Sequence, residues 1–363
     1  MLRFPSALKP ALALAAALLC AACAGPGAAP ASGVPHYVLD TAWPKPLPDL
    51  WVLGGIGGVC LDANDHVIIL NRQNVAPGEL NAGRLAPPVI EFDAAGNVVA
   101  GWGEMKAMDA RLHSCKVDGA GLWVASGPSG MIQKYARDGS RLLLQLGTKG
   151  VYDTSDGTQH GAPLNSPLPR FTSPSSIDVD PANGDVYVSD GEDYVLGSEP
   201  PPQNKRVIVF DKTGKYLRQW LLPHMQSVHC MRLSRAGEVY VCNRIGSRVE
   251  VYDKQGKLLR TMATPWQPVT LPADGKRQET GGSAVSIDFS PDAAQQWIYV
   301  MNQNNARVDI YERASGKWLT SFGRPGTMIG GLNQGHGIAV DSQGRVYVTE
   351  NRGRRVMRFV PVN

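Results

Sequence analysis

HGIAVDSQGRVYVTENRGRRVMRF, residues 336–359, reads as three short strands joined by tight turns. Alternating Val, Ile and Tyr around the turn Ser342–Gly344 gives a strand at Gly337–Asp341, a second at Val346–Thr349 and a third at Arg355–Phe359. Similar units begin at Gly57 (GGVCLDANDHVIILNR), His113 (HSCKVDGAGLWVAS) and Ser175 (SSIDVDPANGDVYVSD). Two more begin at His229 (HCMRLSRAGEVYVCNRIGSRVEVY) and Val285 (VSIDFSPDAAQQWIYVMNQNNARVDIY). The six starts are spaced 56, 62, 54, 56 and 51 residues apart, longer than helical solenoid repeats and in the range of propeller blades. The chain is therefore expected to be all-β, a six-bladed β-propeller.

A fourth, outer strand follows an Asp-x-x-Gly-type turn in five units: Asn97–Trp102, Arg141–Leu146, Tyr216–Leu222, Leu258–Thr264 and Trp318–Phe322. The sixth unit has none after it. His36–Asp40 (HYVLD) is a strand with no partner nearby in sequence, and it is expected to supply the missing outer strand. That closes the ring and hides an exposed edge.

Aligned on the first turn residue of each unit (Asp62, Asp118, Asp180, Ser234, Ser290, Asp341), the position five earlier reads Gly57, His113, Ser175, His229, Val285, His336. Histidine occupies every second blade. A closed ring places the three about a third of a turn apart at one mouth of the central channel. Three imidazoles suit zinc with a fourth position left for water or substrate, and imidazole also admits copper, iron or nickel. The competing expectation is structural, since a histidine before an inner strand also caps the strand or lines a watered channel. The long connections Gln73–Pro88, Gly147–Pro174, Glu192–Gln203, Pro265–Gly282 and Gly323–Gly335 fall on the histidine face. Long loops gathered on one face build a pocket.

The blades resemble NHL repeats. The histidine register is similar to that of peptidyl-α-hydroxyglycine α-amidating lyase, a six-bladed propeller with zinc on three histidines, and the resemblance spans about Leu53 to Phe359. It implies zinc on His113, His229 and His336, and arginines after the second strands at Arg72 and Arg244 that clamp a substrate carboxylate. The family motif Ser-Asp-Gly-Tyr, placed before an Arg-containing third strand, stands here as Ser189-Asp190-Gly191 followed by Glu192, Asp193 and Tyr194. Tyr194 is the candidate proton acceptor and Glu192 its rival. Gly337 replaces the aspartate that helps bind a structural calcium, and Gln334 replaces a pocket methionine; calcium at that position is accordingly not expected. The implied chemistry is cleavage of a carbinolamide to an amide and a carbonyl compound, with zinc acting on the hydroxyl. The residues alone support a metal-bearing pocket with a cationic rim, which hydrolysis or lactone opening would also fit.

Other readings stand beside this one. A non-catalytic propeller presenting its loop-rich face to a protein or polysaccharide is the main alternative. A calcium-dependent lactonase would use carboxylate and amide ligands, and a quinoprotein dehydrogenase has no residue set that argues for it. Asp190 and Glu350, which follow second strands, are the inward acids able to orient a ligand or to cap a turn.

Arg3 and Lys9 precede the apolar run Ala11 to Leu19 and then small residues, which reads as a secretory signal peptide over 1–23. Leu19-Cys20-Ala21-Ala22-Cys23 resembles a bacterial lipoprotein cleavage box with Cys23 acylated, although Cys20 stands where the box usually has Leu. Export to the periplasm, soluble or as a membrane-tethered lipoprotein, is expected. Residues 24–35 form a flexible tether and 36–363 the propeller. The mature cysteines Cys60, Cys115, Cys230 and Cys242 are expected as small buried apolar groups; Cys230 and Cys242 flank one hairpin, but pairing is not set by sequence. A net charge of +4 over 363 residues, without a basic cluster, excludes a nucleic-acid partner.

Overall fold

Turn chemistry fixes each blade's start. The Asp62 carboxylate accepts from the backbone N–H of Asn64 and His66, and Asp341 does the same for Gln343 and Arg345. These are Asx turns that reverse the chain between first and second strands. A computed structural model describes residues 33–109, 111–119, 121–192, 202–266 and 281–362. The leader with Cys23, the tether up to residue 32, and Tyr194 lie outside the described residues.

Six four-stranded antiparallel sheets form. Their inner strands are Ile56–Leu61, Leu112–Asp118, Pro174–Val179, Val228–Leu233, Ala284–Phe289 and Gly335–Val340. Each packs on the next and the last packs on the first, so the ring is closed. The outer strands are Val98–Trp102, Leu142–Gly147, Tyr216–Leu221, Leu258–Ala263 and Trp318–Phe322, and His36–Leu39 completes the sixth blade. A parallel pair, Trp51–Val52 with Arg84–Leu85, and a short helix, Met105–Met108, lie outside the blades. No helix among the described residues is long and apolar enough to cross a membrane.

The apolar core is divided among the seams. Six buried clusters form, each joining two neighbouring blades. Polar ties reinforce the seams further along the inner strands. Lys116 pairs with Asp178 at 2.7 Å, Asp178 accepts from Leu233 N–H, Arg232 faces Asp288 at 3.9 Å, and Asp288 accepts from Val340 N–H. These link blades two through six. Between blades one and two the tie is a disulfide, Cys60–Cys115, with Cα atoms 5.7 Å apart. Cys230 lies directly opposite Cys242 in a strand pair, and these two are also bonded. The expectation of four free cysteines is thus corrected. Strand adjacency across a seam, which sequence spacing does not show, brings Cys60 to Cys115.

The N-terminal strand does more than cover an edge. It pairs His36 to Leu39 with Val362 to Phe359. The Tyr37 hydroxyl donates to Gly344 O and shares a 2.7 Å hydrogen bond with Tyr299 of blade five, while its ring stacks on Phe322. The Arg358 guanidinium pairs with Asp40. Removing residues 1–40 is expected to cost about 1.5–3 kcal/mol, about half the full-burial value for two such side chains, because Tyr37 and Leu39 are partly buried. It should also cause self-association through the bared 356–362 edge. Urea unfolding and size-exclusion chromatography check both; a truncated chain that is monomeric and equally stable would contradict the closure.

Candidate metal centre

Each inner strand carries a β-bulge at one level. The pairing with the second strand slips between Ile56 and Gly58, Leu112 and Ser114, Pro174 and Ser176, Val228 and Cys230, Ala284 and Ser286, and Gly335 and Gly337. The extra residue in each case is the aligned one: Gly57, His113, Ser175, His229, Val285 or His336. A bulge breaks the alternation of faces and re-aims a side chain. Here it brings three imidazoles together at the channel, with ring centroids 4.7, 4.7 and 5.2 Å apart. One ring nitrogen from each lies within 4.8 Å of the others.

The even blades supply imidazoles and the odd blades hold them. His113 Nδ1 lies 2.6 Å from the Ser175 carbonyl, His229 Nδ1 2.8 Å from Val285 O, and His336 Nδ1 2.8 Å from Gly57 O. Each acceptor is the bulged residue of the next blade around the ring. A carbonyl can only accept, so Nδ1 carries the proton and Nε2 keeps its lone pair, the arrangement found behind metal-binding histidines. The Nε2 atoms of His113 and His229 are buried with no hydrogen-bond partner among the described residues. Just past the rings lies a cavity of about 30 Å³ lined by all six bulged residues, room for one or two waters.

Burial holds the imidazoles of His229 and His336 well below the usual histidine range, with Glu192 opposing in both cases. They are neutral at neutral pH and able to ligate. Glu192 stands over the rings, itself 3% exposed, with Oε2 3.3 Å from His113 Nε2 and Oε1 3.6 Å from His229 Nε2. Burial pushes its carboxyl up, but His113, His229 and Arg111 outweigh that and hold it well below the usual carboxylate range. The carboxylate thus stands beside two of the Nε2 atoms, at 3.3 and 3.6 Å, and a cation placed among these donors would be attracted by all of them. The donor set fits a divalent transition-metal ion.

Arginines surround this group. Arg72 is 6% exposed; its Nε donates to Leu112 O at 2.9 Å, while Nη2 is buried without a partner among the described residues. Burial, helped by Arg111 and opposed by Glu192, lowers its pKa to about 10, so it stays cationic at neutral pH. Gly57 makes room for this contact, because a Cβ there would sit 1.8 Å from Leu112 O and 2.7 Å from Arg72 Nε. Arg244 is half-buried and donates to Gln303 Oε1, whose amide nitrogen in turn donates to Gly335 O beside His336. Arg111, two residues before His113, shares the charge environment of Glu192 and Arg244; sequence reasoning passed over it, though its place before the histidine was visible.

Of their two expected roles, Asp190 and Glu350 take the capping one. Asp190 is fully buried, accepts from the backbone of Thr172 and Ser173, and pairs with Arg206 at 3.0 Å. It anchors the strand end that leads to Glu192 and faces no ring. Glu350 pairs with Arg355 and accepts from Asn333 N–H, which pins the loop before His336. In a second acid–histidine group, Asp62, His66 and Glu91, both acids pair with Arg137.

No protein-family model matches the chain. It is 25% identical over 345 residues to NHL repeat-containing protein 3 of Homo sapiens, covering 90% of this chain and 85% of that protein. Among solved structures it is similar to virginiamycin B lyase from Staphylococcus aureus, with a TM-score of 0.51 at 12% identity over 85% of this chain and 95% of that one. Kuenenia stuttgartiensis hydrazine synthase gives a TM-score of 0.52 at 14% identity over 84% of this chain and 76% of that one. The fold is an NHL-type six-bladed β-propeller. At such identities the two solved structures speak to the fold alone. Within this NHL-type propeller the bulge level is where the chain's own chemistry is concentrated.

Proposed function

We propose that this propeller is an exported zinc enzyme that binds a carboxylate-bearing, small or peptide-like substrate and cleaves a carbinolamide. The observation that carries the reading is the triple clamp of Nδ1 atoms by backbone carbonyls, which turns three Nε2 lone pairs toward one point. Zinc, when bound, supplies Lewis acidity that lowers the pKa of a neighbouring hydroxyl. The chain's residues do the rest. Arg72, with Nη2 free of partners among the described residues, holds the substrate carboxylate, and Arg244 holds it from blade four; planar guanidinium suits that group. Tyr194 takes the hydroxyl proton in the role implied by the resemblance to peptidyl-α-hydroxyglycine α-amidating lyase. The C–N bond then breaks, its electron pair stays on nitrogen, which gains a proton, and an amide and an aldehyde result. Two disulfides favour an oxidising compartment, which agrees with export to the periplasm or, through Cys23, to a membrane surface.

The test is release of an aldehyde acid from amides of α-hydroxyglycine by zinc-loaded protein. Arg72→Ala is expected to lower kcat/KM roughly 10–10²-fold, the worth of about 1.5–3 kcal/mol for hydrogen bonds to a charged group. Arg72→Lys should recover only part, since lysine cannot bind bidentately. Zinc-loaded protein that releases no aldehyde would end the lyase reading.

A scaffold reading is favoured by one observation. Met328 and Ile329, on the loop entering blade six, are 78% and 70% exposed on the histidine face, as a docking rim for a protein or polysaccharide partner would be. Such a scaffold has no use for stoichiometric metal, and metal content separates the two.

A further inference from the structure

Resting on the metal-centre reading, we infer that Glu192 is a fourth protein ligand, so that the ion is held by three histidines and one carboxylate. The distances carry this first. Ligands 2.0–2.2 Å from a tetrahedral ion stand roughly 3.3–3.6 Å from each other, by the geometry of the tetrahedron. Glu192 Oε2 and His113 Nε2 are 3.3 Å apart, and Glu192 Oε1 and His229 Nε2 3.6 Å. One oxygen faces His113 and the other His229, at the spacing of two donors to one ion, and both nitrogens lack an aligned hydrogen-bond partner among the described residues; the carboxylate stands farther from His336 and swings toward it when the ion binds.

The backbone is built to hold the carboxylate there. Gly191 and Glu192 both donate their N–H to Ser173 O, at 3.0 and 3.3 Å, and Gly191 O accepts from Val228 N–H, next to His229. Gly191 has φ of +135°, and a Cβ on it would lie 1.9 Å from Asn204 O; only glycine makes this approach. Immediately before it, Asp190 is locked by Thr172, Ser173, Asn204 and Arg206. Across the site, a Cβ on Gly127 would come 3.0 Å from Glu192 Oε2, so that position is kept clear for the carboxylate. The backbone that carries Glu192 is thus fixed beside the rings, as support for a metal ligand requires.

The consequence is a centre of smaller net charge. A divalent ion with three neutral imidazoles and one carboxylate carries +1, and its fourth protein donor must move or share its place before substrate can bind directly. A carboxylate also broadens the accepted metals toward manganese and iron(II).

The experiment uses the full chain loaded with cobalt(II), whose visible spectrum reports its ligands, beside zinc affinity by competition with a chelator. In the unmodified protein the cobalt spectrum is expected to be insensitive to millimolar azide. In Glu192→Gln and Glu192→Ala it should change at once and respond to azide. Zinc affinity should fall on the order of 10²-fold in both, with circular dichroism unchanged. Unmodified protein that binds metal but responds to azide overturns the inference without any variant. A Glu192→Gln protein with unchanged spectrum and affinity overturns it as well, leaving the three-histidine centre standing. Failure of the unmodified protein to take up cobalt or zinc overturns both.

Discussion

His229→Ala is expected to weaken zinc binding on the order of 10²–10³-fold while leaving the propeller folded. Four-ligand structural zinc sites bind with about 10–16 kcal/mol; sharing this among four donors gives roughly 2.5–4 kcal/mol for each. His229 is fully buried and contributes one of the Nε2 atoms without another partner among the described residues. Without metal its own contribution to folding is a single bond to Val285 O, so the loss to the apo fold is about 1–3 kcal/mol. The effect on metal is thus expected to be the larger of the two. Chelator competition and thermal unfolding of apo protein separate the two. Unchanged zinc affinity, or collapse of the fold at ordinary temperature, would show the histidines to be structural.

The second large effect is expected at Arg206, the arginine of the third strand in blade three. It is fully buried, lies 3.0 Å from Asp190 and 3.1 Å from Asp153, and donates to Ser166 O, Arg170 O and Gln219. Arg206→Met removes the cation and leaves two buried carboxylates facing each other. Breaking a buried pair from one side costs about 3–5 kcal/mol, and the two acids set this case at the upper end. Asp190→Asn should cost less, because Arg206 keeps Asp153 as partner. Both substitutions loosen the turn that carries Glu192, so metal affinity should fall alongside stability. Urea unfolding gives the order; a loss below about 1 kcal/mol in Arg206→Met would mean that solvent or a shifted acid replaces the arginine.

Much of the fold was legible in the sequence because its signals are local. Val-Ile alternation, Asp-led turns and the recurring blade motif placed the outer strands within a residue or two of Val98–Trp102 and Trp318–Phe322. The unpaired HYVL stretch foretold closure, since a strand without a neighbour has to find an edge. The histidine alternation was readable too, because a ring converts a sequence register into a level. What stayed hidden depends on the backbone between blades. A bulge is one extra residue and leaves no mark in the hydrophobic pattern, yet it turns His113, His229 and His336 to the channel. The carbonyls that fix their Nδ1 atoms belong to Ser175, Val285 and Gly57, where the side chain gives no hint of the role. Cys60 and Cys115 meet across a seam, 55 residues apart in sequence. Glu192 was visible only as a rival to Tyr194; its reach to two rings follows from the Gly191 turn, whose conformation no pattern announces.

Zinc per chain in the purified protein, after loading near pH 7.5 and removal of excess, is expected to be about one, and none in His113→Ala/His229→Ala. A chain that retains no metal, or a double variant that retains as much as the parent, would contradict it.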